Sequence, residues 1–221
     1  MDKLDVKKIV QERLNASQFF QEEFTKDQIY IHHTAGNGNA VAVAKSWNSN
    51  PERIATAFVI GEDGTIVQCF SSKHWAYHLG LKNSHFSAHG VPFKQLDKMS
   101  IGIEVCNWGP ITEKDGKFYN YVGRPMKSEE IVKLDTKFRG HQYWHKYHPA
   151  QIESLRKLLV YLCETYKIPM DYNEDMWDIS KDALRGVRGI YTHVSVRPDK
   201  SDMYPCPSLI KMLKSLSSGK S

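Results

Sequence analysis

The stretch Gln28-Ile29-Tyr30-Ile31-His32-His33-Thr34-Ala35-Gly36 decides how this chain folds. Residues 28–31 are typical of a buried strand, and the strand ends in two histidines and a turn of small residues. An imidazole at the carboxyl end of a strand places a metal ligand or a catalytic base at the rim of a sheet. The rest of the chain must therefore bring further functional groups to this rim.

Composition limits the classes of protein to consider. The 221 residues are 41% hydrophobic and 25% charged, which is ordinary for a soluble globular protein. The net charge of +5 favours an anionic partner such as nucleic acid, a membrane surface or an acidic wall polymer. Because the basic residues are scattered rather than striped, we do not expect nucleic-acid binding. No apolar run approaches the length of a membrane span, so we expect none.

Cysteine usage and the N-terminus predict where the protein is made. The four cysteines are widely separated and form no Cys-x-x-Cys pair, which argues against a disulfide framework or a zinc finger. Residues 1–14 lack the apolar core and the cleavage site of a signal peptide. We therefore expect synthesis in the reducing cytoplasm without a signal peptide.

Hydrophobic spacing predicts a single α/β domain. Residues 71–98 are predicted to be a long, irregular surface segment, and no repeat or linker divides the chain. We expect a helical extension at 1–27, packed on a catalytic domain at 28–217. The predicted domain is a central mixed sheet flanked by helices, with the site in a groove at the sheet's edge. The predicted helices are 3–14, 40–48, 151–166, 178–186 (helix or turn) and 208–216, and the predicted strands are 28–33, 56–60, 65–70, 100–106, a polar hairpin within 111–127, and 189–193.

Three predicted strands carry groups with catalytic chemistry. His32 and His193 each end a strand, and Glu104 is embedded in a third, where a buried acid is costly unless it is paired or bound. The loop after His193 brings further carboxylates. Two imidazoles and one oxygen ligand, with an open position, are typical of a catalytic zinc site. The alternative is that some of these histidines are ordinary core or surface residues, and spacing alone leaves that open.

Five motifs, in order, resemble the zinc-dependent N-acetylmuramoyl-L-alanine amidases. This type-2 amidase superfamily includes phage endolysins, recycling amidases and peptidoglycan recognition proteins. The similar segments are the opening strand, a Phe-x-Ile-x-x-Asp-Gly-x-Ile hairpin, a Trp-His-x-Gly loop, a Ser-Ile-Gly-Ile-Glu strand, and a closing His…Lys-x-Asp segment. They lie at 29–36, 58–66, 75–80, 100–104 and 193–202.

The resemblance implies roles for individual residues. His32, His193 and Asp202 would bind Zn²⁺, Glu104 would be the catalytic acid, and Lys200 would stabilise the transition state. Cys206 is a rival third ligand, because the spacing after His193 differs by about a residue and some relatives use Cys. Asp202 is preferred because the Lys-x-ligand pattern holds there. The chain departs from several relatives in having no tyrosine before the hairpin, at Thr56-Ala57-Phe58, so proton transfer should rest more on Glu104.

Other candidates have a functional and a structural interpretation. Trp75 and His78 either line the substrate groove or pack the long loop, and Asn107 is a candidate groove residue. His33 should point away from His32 and serve as a core or supporting histidine, because neighbouring side chains on a strand face opposite ways. The aromatic and basic stretch 138–148 either contacts glycan or supports the long helix that follows.

The resemblance implies a zinc amidase that cuts the bond between N-acetylmuramic acid and L-alanine. Its partner would be peptidoglycan or a soluble muropeptide, and we expect a monomer. A compact endolysin, acting on the cell wall, and a cytosolic recycling amidase both fit. A peptidoglycan-binding module without catalysis is the alternative, although the complete ligand set argues for an enzyme.

Overall fold

The His-bearing stretch lies inside a mixed sheet in the computed structural model, which describes residues 3–36 and 38–217. The strands are β1 Val10–Gln11, β2 Gln28–His33, β3 Phe58–Ile60, β4 Ile66–Gln68, β5 Ser100–Val105, β6 Pro110–Lys114, β7 Lys117–Tyr119, β8 Pro125–Met126, β9 Ile131–Phe138, β10 His141–His145 and β11 Gly189–Thr192. The α-helices are α1 Ala40–Trp47, α2 Asn83–Ser87, α3 Leu96–Met99, α4 Pro149–Tyr166, α5 Lys181–Arg185 and α6 Pro207–Ser217.

The central sheet has six strands in the order β1-β4-β3-β5-β2-β11. β3, β5, β2 and β11 run parallel, and β4 is antiparallel to β3 through the predicted hairpin. Every residue of β2 is buried, as expected for a parallel strand covered on both faces. This confirms the prediction of an α/β domain built on a mixed sheet flanked by helices.

The two faces of the central sheet carry different residues. One face, with Ile31 and Ile103, packs in the main core with the apolar stripe of α4 and with α6. The other face, with Tyr30 and Tyr191, packs in a smaller core that includes Leu79 from the long surface segment. The side chains of β2 therefore alternate between the main core and the face that will carry the site.

Helix α4 supports the main core. It begins at Pro149, where the missing N–H is harmless, and it ends at Lys167 in the left-handed conformation, with φ 59°. Four buried leucines form its inner stripe: Leu155, Leu158, Leu159 and Leu162. The predicted helix at 151–166 is thus confirmed, two residues longer at its start.

A second, antiparallel sheet has the order β8-β7-β6-β10-β9. Its β6–β7 hairpin lies within the predicted hairpin at 111–127 and turns at Asp115 (φ 52°) and Gly116 (φ 72°), the left-handed pair that a two-residue turn needs. Strands β9 and β10 were not predicted. In β9 the exposed Lys133 and Asp135 flank the buried Leu134, and this short alternation of polar and apolar residues is the only strand signal in its sequence.

The predicted helix at 3–14 is wrong. Residues Val6–Lys8 form a single 3-10 turn, and β1 then pairs in parallel with β4. The main-chain N–H groups of Glu12 and Leu14 donate to Gln68 and Cys69 (3.1 and 3.0 Å). The edge of the sheet thus binds this segment in extended form, which its β-branched residues favour.

Within the ranges described, no helix is both long enough and apolar enough to span a membrane.

Candidate metal centre

The sheet brings His32 and His193 together. β2 and β11 are parallel neighbours, with Ile31 opposite Thr192, so the residues that follow lie side by side at the carboxyl edge. His32 Nδ1 is 3.1 Å from His193 Nδ1. Oδ2 of Asp202, in the loop after β11, lies 3.3 Å from His32 Nδ1 and 2.9 Å from His193 Nδ1. The three predicted ligands thus converge on one point.

Hydrogen bonds fix which nitrogen of each histidine faces that point. Ser100 Oγ donates to the carbonyl of Leu96 (2.7 Å), so it must accept from His78 Nε2 (2.9 Å). Neutral His78 then accepts at Nδ1 from His32 Nε2, 3.0 Å away. This leaves the lone pair of His32 Nδ1 directed at His193 and Asp202.

His193 is held in the same way. Its Nε2 donates to the carbonyl of Leu79 (3.0 Å), which leaves Nδ1 as the free acceptor. Two imidazole lone pairs and a carboxylate oxygen therefore meet with no donor fixed between them. Such a set of acceptors suits a cation, and two Nδ1 ligands with one carboxylate are a donor set that zinc accepts.

Electrostatics keep this donor set in its ligating form. Burial, with the charge of His193, lowers the pKa of His32 from 6.5 to about 4, so the ring is neutral at neutral pH. Burial opposes ionisation of Asp202, but the electrostatic effect of His193, followed by that of His32, outweighs it and holds the pKa of that carboxyl well below its usual range.

The loop that carries Asp202 is anchored by aromatic stacking. Tyr204 stacks between Trp144 and Tyr147, with ring centroids 4.6 and 5.0 Å away, and its hydroxyl donates to the carbonyl of His145 (2.8 Å). The stretch 138–148, whose role the sequence left open, thus supports the loop. Cys206 is buried beyond this anchor, with Sγ 3.2 Å from Ser208 Oγ, and it does not belong to the cluster of His32, His193 and Asp202.

Glu104 lies beside His32. The two residues are opposite each other on parallel β5 and β2, so their side chains share a face of the sheet. Burial, followed by the negative charge of Asp202, raises the pKa of the Glu104 carboxyl well above its usual range, and the charge of Lys200 opposes the rise. Its Oε2 is buried without a hydrogen-bond partner among the described residues. A buried carboxyl of this kind is suited to accepting and releasing a proton.

A cavity of about 500 Å³ opens beside the centre. Its lining includes His193 and Lys200, together with Trp75 and His78. Trp75 is 6% exposed and stacks on Phe20 with centroids 3.9 Å apart, so most of its surface packs the loop. His78 reaches the cavity but also holds His32, which the sequence did not predict.

Three supporting residues were missed. Ser100 fixes His78, and Asp97 Oδ1 accepts from the main-chain N–H groups of His78 (2.8 Å) and Leu79 (3.0 Å). Gly102 leaves room for the His78 ring, because a Cβ there would lie 3.1 Å from its Cγ and 2.7 Å from Thr56 Cγ2. Of these three residues, only Ser100 could have been found from the sequence, because it is a polar residue at the start of a predicted buried strand.

The expectation that Asn107 binds substrate is wrong. Its side chain is fully buried, and its amide donates to the carbonyls of His145 (2.9 Å) and Lys146 (3.2 Å) while its oxygen accepts from the N–H of Gly109. It holds two segments together and is inaccessible to a ligand. His33 points to the opposite face, as expected, with Nδ1 2.9 Å from the hydroxyl of Tyr147.

Comparisons with known proteins agree with this architecture. PlyL superposes with a TM-score of 0.55 at 12% identity, covering 96% of this chain and 99% of that one. The catalytic domain of XlyA (15% identity) and a selenomethionine derivative of AmpD (14%) each superpose with a TM-score of 0.52, again covering 96% of this chain and 99% of theirs. At these identities the similarity establishes the fold alone. No curated protein sequence matches the chain.

The family model described as N-acetylmuramoyl-L-alanine amidase matches residues 24–208, from just before β2 to the start of α6. That range holds every residue of the centre described above. The chain therefore belongs to the Amidase_2 family of N-acetylmuramoyl-L-alanine amidases.

Proposed function

We propose that the protein is a zinc-dependent hydrolase of the amide between N-acetylmuramic acid and L-alanine in peptidoglycan. The observation that carries the proposal is the convergence of His32 Nδ1, His193 Nδ1 and Asp202 Oδ2, each within 3.3 Å of the other two. Family membership supplies the substrate class, and the cavity beside Lys200 offers space for the substrate.

Zinc bound there would supply a Lewis acid that polarises an amide carbonyl and makes water more acidic. The protein's own residues do the rest. Glu104, with its raised pKa, accepts the proton of the attacking water and then donates it to the leaving amine of L-alanine. Lys200 offsets the negative charge that develops on the carbonyl oxygen. The tetrahedral species collapses by C–N cleavage into a free lactyl carboxylate and a peptide amine.

The proton-transfer role is assigned to Glu104 because no tyrosine is available at position 56. Thr56 stands there, and its hydroxyl is occupied in donating to the carbonyl of Phe58 (2.8 Å). Glu104 lies opposite His32, is buried, and has one oxygen without a hydrogen-bond partner in the described part of the chain, so it is the group best placed to move a proton.

The test measures release of new amino termini from purified sacculi and, in parallel, from soluble muropeptides, with mass analysis of the ends. Chelation should abolish release and added zinc should restore it. Glu104→Gln should bind zinc as wild type does while turnover falls roughly 10²–10⁴-fold. Glu164→Gln, an exposed acid on α4, is the matched control. Undiminished release in excess chelator would refute the zinc mechanism, and normal turnover in Glu104→Gln would refute the role of that carboxyl.

A further inference from the structure

A second set of metal-ligating side chains lies outside the centre described above. Glu62 follows β3, His145 ends β10, and His148 immediately precedes α4. Each offers one ligand atom, and these atoms all lie within 4.8 Å of one another. We propose that Glu62, His145 and His148 form a second metal site, which binds a divalent ion of the zinc class and joins the two sheets at the start of α4.

The donors suit such an ion chemically. Two imidazoles and one carboxylate are ligands that zinc and its neighbours in the transition series share, whereas Mg²⁺ and Ca²⁺ prefer oxygen alone. His145 is 2% exposed, while Glu62 and His148 are half-buried, so water can complete the coordination. Burial, with the charge of His148, lowers the pKa of His145 to about 4, which keeps that imidazole neutral and able to bind.

The charge around the cluster also favours a cation. The Glu62 carboxylate forms no ion pair with a lysine or arginine in the described part of the chain. Burial raises its pKa, the charges of His148 and Arg124 oppose the rise, and those of Glu130 and Asp63 add to it. A half-buried carboxylate beside another acid is costly, and a bound cation offsets that cost.

The backbone is built to receive the Glu62 side chain. The Glu62 N–H donates to the carbonyl of Gly38 (3.0 Å), and the carboxylate lies directly on that glycine. A Cβ at Gly38 would fall 2.3 Å from Glu62 Cδ and 2.4 Å from Oε2. On the other side, the His145 carbonyl is held by Asn107 and Tyr204. The site is therefore largely formed before an ion binds.

One contact sets the strength of this site relative to the first. The N–H of Trp108 lies 3.3 Å from His145 Nδ1 and donates to it. Whichever ring nitrogen of His145 binds the ion, that hydrogen bond is given up, because Nδ1 either becomes a ligand or takes the proton. In the first centre both histidines already hold their Nε2 protons on fixed acceptors. We therefore expect the second site to bind zinc about tenfold or more weakly than the first.

The experiment counts zinc ions in the full chain. Metal-stripped protein is titrated with Zn²⁺ by calorimetry, and the bound metal is measured by elemental analysis after gel filtration. The variants Glu62→Gln and His148→Gln remove half-buried donors and spare the buried His145. His89→Gln, which removes a loop histidine outside both clusters, is the matched control, and His32→Gln removes a ligand of the first centre.

Wild type and His89→Gln should bind two ions with distinct affinities. Glu62→Gln and His148→Gln should lose the weaker ion and keep the tighter one, and zinc should no longer raise Tm beyond the first equivalent. His32→Gln should keep the weaker ion, so a failure of the first centre is distinguishable from a failure of the second. A single ion in wild type, or two ions in both Glu62→Gln and His148→Gln, would overturn the proposal.

Discussion

Replacing Ser100 by alanine tests whether the proposed metal centre depends on a side chain that touches none of its proposed ligands. The Ser100 hydroxyl donates to Leu96 O at 2.7 Å and accepts from His78 Nε2 at 2.9 Å. Removing it leaves a buried N–H and a buried carbonyl without these partners. The proton of His78 is then free to move to Nδ1, where it would face the Nε2–H of His32.

The magnitude follows from those two bonds. Each is worth about 1 kcal/mol net, and a buried donor left unpaired costs about 1–3 kcal/mol, so we expect metal-free Ser100→Ala to lose about 2–3 kcal/mol of unfolding free energy. Loss of support for a ligating histidine weakens metal binding about 10–100-fold. Because Ser100 acts through His78, we expect about tenfold, or about 1.4 kcal/mol.

The assay is competition with a chromogenic chelator for zinc, with urea unfolding of the metal-free protein alongside it. Ser154→Ala is the matched control, because its hydroxyl donates one bond to a distant carbonyl, that of Gly64 (2.6 Å). That variant should lose stability but keep wild-type zinc affinity. If Ser100→Ala also keeps zinc affinity within twofold of wild type, the hydrogen-bond relay does not orient His32.

Three further predictions concern stability. Gly102→Ala should lower the free energy of unfolding in urea by about 1–3 kcal/mol, because the added methyl would lie 2.7 Å from Thr56 Cγ2 and displace His78. Wild-type stability in this variant would show that the segment carrying His78 can move away at no cost. Burial lowers the pKa of His33 from 6.5 to about 4. The unfolded chain therefore binds an extra proton at this position between those values, and His33 alone should contribute a loss of about 3 kcal/mol of stability as pH drops through that window. His33→Gln should reduce the slope of stability against pH by that contribution, and an unchanged slope would contradict the assignment. Tyr204→Phe should lose about 1 kcal/mol and weaken zinc binding, because the Asp202 loop loses one anchor; unchanged affinity in chelator competition would show that stacking alone holds the loop.

The opening strand and its partners could be predicted because their signals are local and strong. Each of the two strands 28–33 and 100–105 has a buried centre rich in isoleucine, at 29–31 and 101–103, and the 18-residue helix α4 carries an apolar stripe with helical period. Parallel strands expose their carboxyl ends at one edge, so histidines at two such ends were expected to meet. The geometry of His32 and His193 agrees with that expectation.

What the sequence did not predict depends on tertiary partners. Segment 3–14 has helical spacing, yet the free edge of β4 binds it in extended form. Asn107 is polar and close to Glu104 in sequence, which suggested a substrate contact. Its side-chain amide instead donates to a main-chain carbonyl of the second sheet and is buried there. His78 was expected either to line the substrate groove or to pack the long loop, and its bond to His32 also needs the space that Gly102, 24 residues away, leaves for its ring. None of these contacts has a local pattern.

The distance along the chain between the converging ligands bears on how the protein folds. His32 and Asp202 are 170 residues apart, and the loop of Asp202 rests on aromatic residues of the second sheet. Contacts of such high sequence separation form slowly, because the entropy cost of closing a long loop comes before the contacts can contribute favourable energy. A ribosome-bound chain must extend beyond residue 202 before the cluster can exist. The cluster should therefore assemble after the central sheet and the second sheet have formed, and not before them.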